Sequence, residues 1–348
     1  MFNMKKKRLH FLARAAMTLL LVMFATIGAR ADEGTLSGSG TAADPYLIGS
    51  DADWETFVSY INDKGGQYRY SYYKLTADIK VTSMAGKNNN DNAFKGIFDG
   101  NGHTMTLNLT TDGSSNFFAP FRYVGGSTFK RLHIAGKITS NSYYVASLVG
   151  YHRWGTLNIY NCWSSVDIVC TKKTDNSFNA GFVGYSYDSN INININNCRF
   201  DGSLQGAETG GCSGFVGQRN SNSSLMKISN CLFAPTQLTV ATDNSYTFAY
   251  KSDVNTNNYY TTPLGKEQGT AIGNMTDSEL LNKLGKGWEK KGDKVVPVFD
   301  IKNLSTGSIE CNTFWAYTGE DITVTPTVKD MDGNTVSSEN YSVQVFRP

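Results

Sequence analysis

The side chains that could do chemistry are sparse and scattered. Glycoside cleavage needs two carboxylates facing each other roughly 5–10 Å apart, but Asp167, Asp175, Asp188, Asp201, Glu208 and Asp243 follow no common spacing. Lyase chemistry would need Lys or Arg beside a calcium-holding acid cluster, and none stands out. His103, His133 and His152 fall at unrelated positions, no His-Glu-x-x-His occurs, and no cysteine spacing suits zinc. Asp330-Met331-Asp332-Gly333-Asn334 starts like a calcium loop but lacks the later Glu, so a hairpin turn is expected. These absences point to a non-catalytic chain without metal or cofactor. The strongest candidate surface is aromatic: Tyr123, Tyr151, Tyr185 and Tyr250 share one position of a repeat that Gln218 interrupts, and Trp154 and Tyr187 follow closely. Rings spaced along a face could hold an extended glycan while their polar tips stay wet. Strand parity leaves open whether this column points outward or serves as internal stacking.

The elements that position these rings come from that repeat. Ser147-Leu148-Val149-Gly150-Tyr151 recurs as Gly181-Phe182-Val183-Gly184-Tyr185 and Gly214-Phe215-Val216-Gly217-Gln218, then in worn form as Tyr246-Thr247-Phe248-Ala249-Tyr250. The Gly/Ala positions are 34, 33 and 32 residues apart. A second phrase follows in phase, at Asn161-Cys162, Asn197-Cys198, Asn230-Cys231 and Asn258-Tyr259. Between them lie short β-rich runs such as Ile191-Asn192-Ile193-Asn194-Ile195, alternating as a half-buried strand does. No apolar 3.6-residue period appears within the repeats, which excludes helical solenoids. Short strands pairing with counterparts one repeat away make a parallel β-helix, over 73–273. The repeated asparagines are expected at left-handed corners. Cys162, Cys198 and Cys231 should form a buried column of thiols, whereas Cys170, Cys212 and Cys311 carry no pairing signal.

Both ends depart from the repeat. Residues 1–31 combine a basic start, an apolar run and Ala29-Arg30-Ala31, which reads as a secretory signal peptide. Its removal leaves 26 basic against 30 acidic side chains, a balance that supports no nucleic-acid partner. In the N-terminal segment 32–72, Trp54, Phe57, Val58 and Ile61 mark a short helix begun at Ser50 or Asp51 and placed as a lid on the first coil. In 274–302, Thr276-x-x-Glu279 is a capping box ahead of Leu280, Leu281 and Leu284, so a second capping helix is expected, then a strand at 294–298. Residues 303–348 read as the strands of an incomplete Ig-like sandwich.

With the repeats laid out, Leu148-Val149-Gly150, Phe182-Val183-Gly184 and Phe215-Val216-Gly217 resemble the GLUG motif. The flanks are similar too, through Phe98-Asp99-Gly100-Asn101-Gly102-His103, the Asn-Cys phrases and the segment from Leu284-Gly285 to Trp288. The resemblance covers roughly residues 38–300. It implies a right-handed β-helix in an exported bacterial surface protein of adhesin-like type, with no shared catalytic residues, and the tail is similar to Ig-like modules that follow such regions. Pro120-Phe121-Arg122 and Phe248-Ala249 depart from the motif. The expectation is a secreted or surface-associated monomer with no transmembrane span after cleavage, binding a glycan or another host or bacterial surface ligand. Two rivals stand beside it: a polysaccharide lyase or hydrolase of the β-helix type, and a passive stalk presenting a C-terminal domain.

Overall fold

The computed structural model describes residues 34–87, 92–111, 116–171, 178–187, 191–206, 211–219, 225–251 and 256–299, together with the backbone of two short paired strands, Ser308–Glu310 and Thr327–Lys329. The leader, Cys311 and nearly all of the Ig-like expectation lie outside the described residues, as do Asp175, Asp188, Glu208 and the Asp330–Asn334 turn.

Between 46 and 271 the chain winds into a parallel β-solenoid of about six turns. One face is a fifteen-stranded sheet, a second has four strands and a third has three. The repeat is the coil: Val149 pairs with Val183 and Val183 with Val216, while Tyr151 pairs with Tyr123 below and Tyr185 above. Inside, like residues pile on like. Phe182, Phe215 and Phe248 form a ladder with ring centroids 5.1 and 5.0 Å apart, and Phe200 stacks on Phe233 at 5.8 Å. Cys162, Cys198 and Cys231 are free thiols and fully buried, as the spacing predicts, and Cys170 and Cys212 are buried as well.

One corner of each coil turns on a left-handed residue. Asn101, Arg131, Asn161, Asn197, Asn230 and Asn257 have φ between 50° and 67°, a region that asparagine tolerates because its side chain can bond locally. Two of these differ from the sequence expectation. The fourth Asn-Cys copy turns at Asn257, while Asn258 is buried, accepting from Cys231 N at 3.0 Å and donating to Ile228 O at 2.6 Å. Arg131 takes the corner one coil before Asn161, where its guanidinium grips Asp99 at 2.9 and 2.6 Å. Side-chain amides bond between coils as well, Asn194 to Asn158 at 2.9 Å and Asn257 to Asn230 at 2.6 Å.

The first helix, α1 (Asp51–Ser59), is capped by Ser50, whose hydroxyl accepts from Asp53 N at 3.1 Å. Its Trp54 and Phe57 are fully buried against Tyr73, Phe94, Phe98 and Phe121, so the lid plugs the open core with rings. The second, α2 (Asp277–Leu284), has the expected capping box. It covers the last coils from the side: Leu280 and Leu284 join Trp288 and Val295 against the outward-facing Leu232 and Tyr259. The interior at that end is closed by 261–269. Leu264 enters the core, and Gln268 acts as a surrogate strand, accepting from Phe248 N and Ala249 N and donating to Ala249 O. No helix of the described residues is long and apolar enough to cross a membrane.

Candidate functional site

A bulge stands ahead of Tyr185 and ahead of Gln218 in the tyrosine column. The N–H groups of Phe182 and Val183 both donate to the Phe215 carbonyl at 3.0 Å, and those of Phe215 and Val216 both donate to that of Phe248. Two successive side chains therefore face the core, where both are fully buried. The pairing register then passes over the glycine. A Cβ on Gly184 would sit 3.3 Å from the Tyr144 Cβ, and one on Gly150 would sit 3.3 Å from that of Phe117, so the glycines face the neighbouring sheet. Tyr123 and Tyr151, with Tyr185 packed against them, nevertheless form an apolar cluster separate from the one that fills the solenoid interior.

They do not enter solvent as a bare column. Phe117, Tyr144 and Phe178, paired in register on the three-stranded face, lean across the angle between the two sheets. Phe117 stacks on Tyr151 with centroids 4.6 Å apart and touches Tyr123 and Tyr185 at 5.5 and 5.6 Å. Tyr144 lies 4.4 Å from Tyr185 and 5.4 Å from Phe178, which meets Tyr250 at 5.5 Å. The result is an aromatic seam outside the main core, with its own apolar cluster around Ala93, Tyr123 and Tyr151. Gln218, which interrupts the column, accepts a hydrogen bond from the Tyr144 hydroxyl at 2.7 Å. Burial holds the Tyr144 phenol protonated, raising it to about 12, with Tyr185 and its neighbours adding to the shift.

The six candidate residues thus divide. Tyr123 and Tyr151 are 9% exposed and belong to the seam's inside. Trp154, Tyr185 and Tyr250 are half-buried, and Tyr187 is 45% exposed, stacked parallel on Tyr185 at 5.9 Å. Tyr143, 37% exposed beside Tyr144, joins the rim. The second column was missed in the sequence although it leaves a trace: an aromatic stands six or seven positions ahead of Tyr123, Tyr151 and Tyr185.

A second polar assembly lies on the long face. Residues 286–299 turn back over the outward row His133, Trp163, Arg199, Leu232 and Tyr259. Asp201, almost wholly buried, accepts from Trp163 Nε1 at 2.5 Å and from Lys294 Nζ at 2.7 Å, and Arg199 Nε lies 3.2 Å away, near enough for attraction but poorly aligned for a hydrogen bond. Arg199 also donates to Val295 O, Trp288 to Asn230 O and Asn161 to Val298 O. His133 stacks on Trp163 at 4.1 Å and bonds Thr104 and Ser165. Burial pulls its imidazole down to about 4. His152, enclosed and bonded to Ser186 and the Trp154 carbonyl, is also pulled down to about 4 by burial. His103 is half-exposed, 3.4 Å from Asp78. The structure does not bring the three histidines together, and no group of three metal-ligating side chains occurs among the described residues.

No family model matches the chain, and no curated protein matches it. One solved structure, of a putative immunoglobulin A1 protease from Bacteroides ovatus, is similar at 14% identity, covering 77% of this chain and 96% of that one with a TM-score of 0.49. At this distance the likeness is one of chain trace alone.

Proposed function

We propose that this chain is a non-catalytic, exported surface module, adhesin-like in role, that binds an extended glycan along the rim of the aromatic seam. The observation that carries the reading is a set of rings packed along the coils with its outer members, Tyr187 and Tyr143, open to solvent, Tyr187 being held by stacking on Tyr185. Rings fixed in advance bind with little loss of side-chain freedom. The leader and the GLUG resemblance support export. Among the described residues the deeply buried carboxylates, Asp99 and Asp201, are engaged by cations, which favours binding over the lyase or hydrolase alternative.

The test is a glycan array probed with the chain from residue 32 onward, followed by titration of the best ligand. Tyr143→Ala combined with Tyr187→Ala should weaken binding roughly tenfold or more, from two ring contacts of about 0.5–1.5 kcal/mol each, without moving the melting temperature. Unchanged affinity in the double variant would refute the rim as the binding surface.

A further inference from the structure

We infer that the glycan carries acetamido groups, and that Gln218 reads them from the gap it makes in the tyrosine column; this rests on the glycan reading above. Both ring columns lapse in the same coil. Gln218 pairs in register with Tyr185. On the three-stranded face the position one coil beyond Phe178 is Gly211, where a Cβ would overlap the Phe178 ring. The coil of residues 211–219 therefore adds no ring to the seam, and what it offers there is an amide. That amide is held in one sense. The Tyr144 hydroxyl donates to its Oε1 at 2.7 Å, and because burial raises this phenol to about 12 it stays a donor at neutral pH. With the oxygen held, Nε2 and its two N–H groups turn the other way. Gln218 is half-buried, and among the described residues its Nε2 has no partner and is not sealed from solvent.

The chemistry of this donor selects among sugar substituents. A carboxylate would find no counter-charge in a neutral amide. A hydroxyl both donates and accepts, so a group that only donates distinguishes it poorly from water. An acetamido carbonyl only accepts, and its methyl group needs an apolar surface nearby. Tyr187 supplies that surface. It stacks within 9° of parallel on Tyr185, the in-register partner of Gln218, and is open to solvent. Among the described residues no cation lies over its ring. The donor and the Tyr185–Tyr187 pair thus stand one coil step apart, about 4.8 Å along the axis. Both are fixed before any ligand arrives, the amide by Tyr144 and the ring by Tyr185, so little side-chain freedom is lost on binding.

Isothermal titration with chitohexaose and cellohexaose tests this, since the two share a backbone and differ on each sugar in an acetamido group against a hydroxyl. Chitohexaose should bind about tenfold more tightly or better, from one hydrogen bond and one buried methyl. Gln218→Glu keeps an acceptor for Tyr144 but has no donor, and should cut that ratio to about threefold or less. Tyr144 is a positioning residue: Tyr144→Phe keeps the ring, frees the amide and should lower the ratio partway. The ratio is internal to each protein, so a general loss of stability would not move it. Equal affinity for the two hexamers, or a ratio that Gln218→Glu leaves unchanged, would overturn the inference while leaving the rim reading intact. If neither hexamer binds, the array decides: ligands bearing acetamido groups that weaken with Gln218→Glu uphold the inference, and ligands without them overturn it. Absence of binding to both hexamers and to the array would remove both readings.

Discussion

Replacing Asp201 should be the most damaging single change to the C-terminal strap. Its side chain is 1% exposed, that of Arg199 9% and that of Lys294 38%. Asp201→Ala leaves the Arg199 charge enclosed without its counter-ion and the Trp163 indole N–H without its acceptor, a defect of about 3–5 kcal/mol. Lys294→Ala removes a partner that solvent already screens, so it should cost at most about 1 kcal/mol. Asp201→Asn keeps an acceptor for Trp163 but not the charge and should fall between, near 2 kcal/mol. Coils of a solenoid contact only their neighbours, so the loss should be local before it is global. Urea titration followed by tryptophan fluorescence, which reports Trp163 beneath the strap and Trp288 within it, should show an early transition in Asp201→Ala that circular dichroism of the coils does not share. Amide exchange at Val295 and Val296 should accelerate with it. If Asp201→Ala costs no more than Lys294→Ala, the carboxylate is not the strap's anchor and the reasoning fails. Pairing Asp201→Leu with Arg199→Met should recover most of the loss, because no unpaired charge remains.

Two further outcomes follow from the interior. His133 and His152 are held near 4 against about 6.5 in an unfolded chain, so between pH 6.5 and 4 the unfolded state binds protons that the folded state refuses. Stability should therefore fall as pH drops through that window, by up to about 1.4 kcal/mol per unit for each histidine, and be indifferent to both above it; melting curves of His152→Gln should show a shallower acid slope, and an unchanged slope would count against this. A methyl group on Gly217 would overlap the Gly184 carbonyl, whereas one on Gly184 would sit 3.1 Å from Gly150 O. Gly217→Ala should thus cost about 1–3 kcal/mol and Gly184→Ala less, an order that thermal denaturation can reverse or uphold.

The coil was legible because a solenoid gives the same environment to the same offset again and again. A buried thiol at 162 implies one at 198 and 231, and a turn at Asn161 implies turns at Asn197 and Asn230. Where local chemistry did not repeat, the sequence was silent. Arg131 holds a left-handed corner because Asp99 lies beneath it, and no property of arginine announces that. Asn257 and Asn258 are equally suited to the turn by type, and only the hydrogen bonds of Asn258 to Cys231 and Ile228 decide between them. The tyrosine column was visible as a spacing, but its cover was not, since Phe117, Tyr144 and Phe178 belong to a different sheet that meets it across a corner. The strap was the least visible, as Lys294 meets Asp201 across 93 positions with no periodicity connecting them.

The path of that strap bears on reach. The described chain enters at the lid, where Leu36 N bonds the Tyr60 hydroxyl, climbs the coils, and then descends, so that Phe299 ends beside Gly102, whose missing methyl would touch its Cβ at 3.6 Å. Six coils rise roughly 30 Å, but Gly102 belongs to an early one, so the ways in and out are separated along the axis by little more than two coil steps, about 10 Å. A rod used to hold a partner domain away from its anchor would leave by the far end. Within the described residues this chain doubles back along its own flank like a hairpin bracket, and residue 299 lies beside the coil of Gly102.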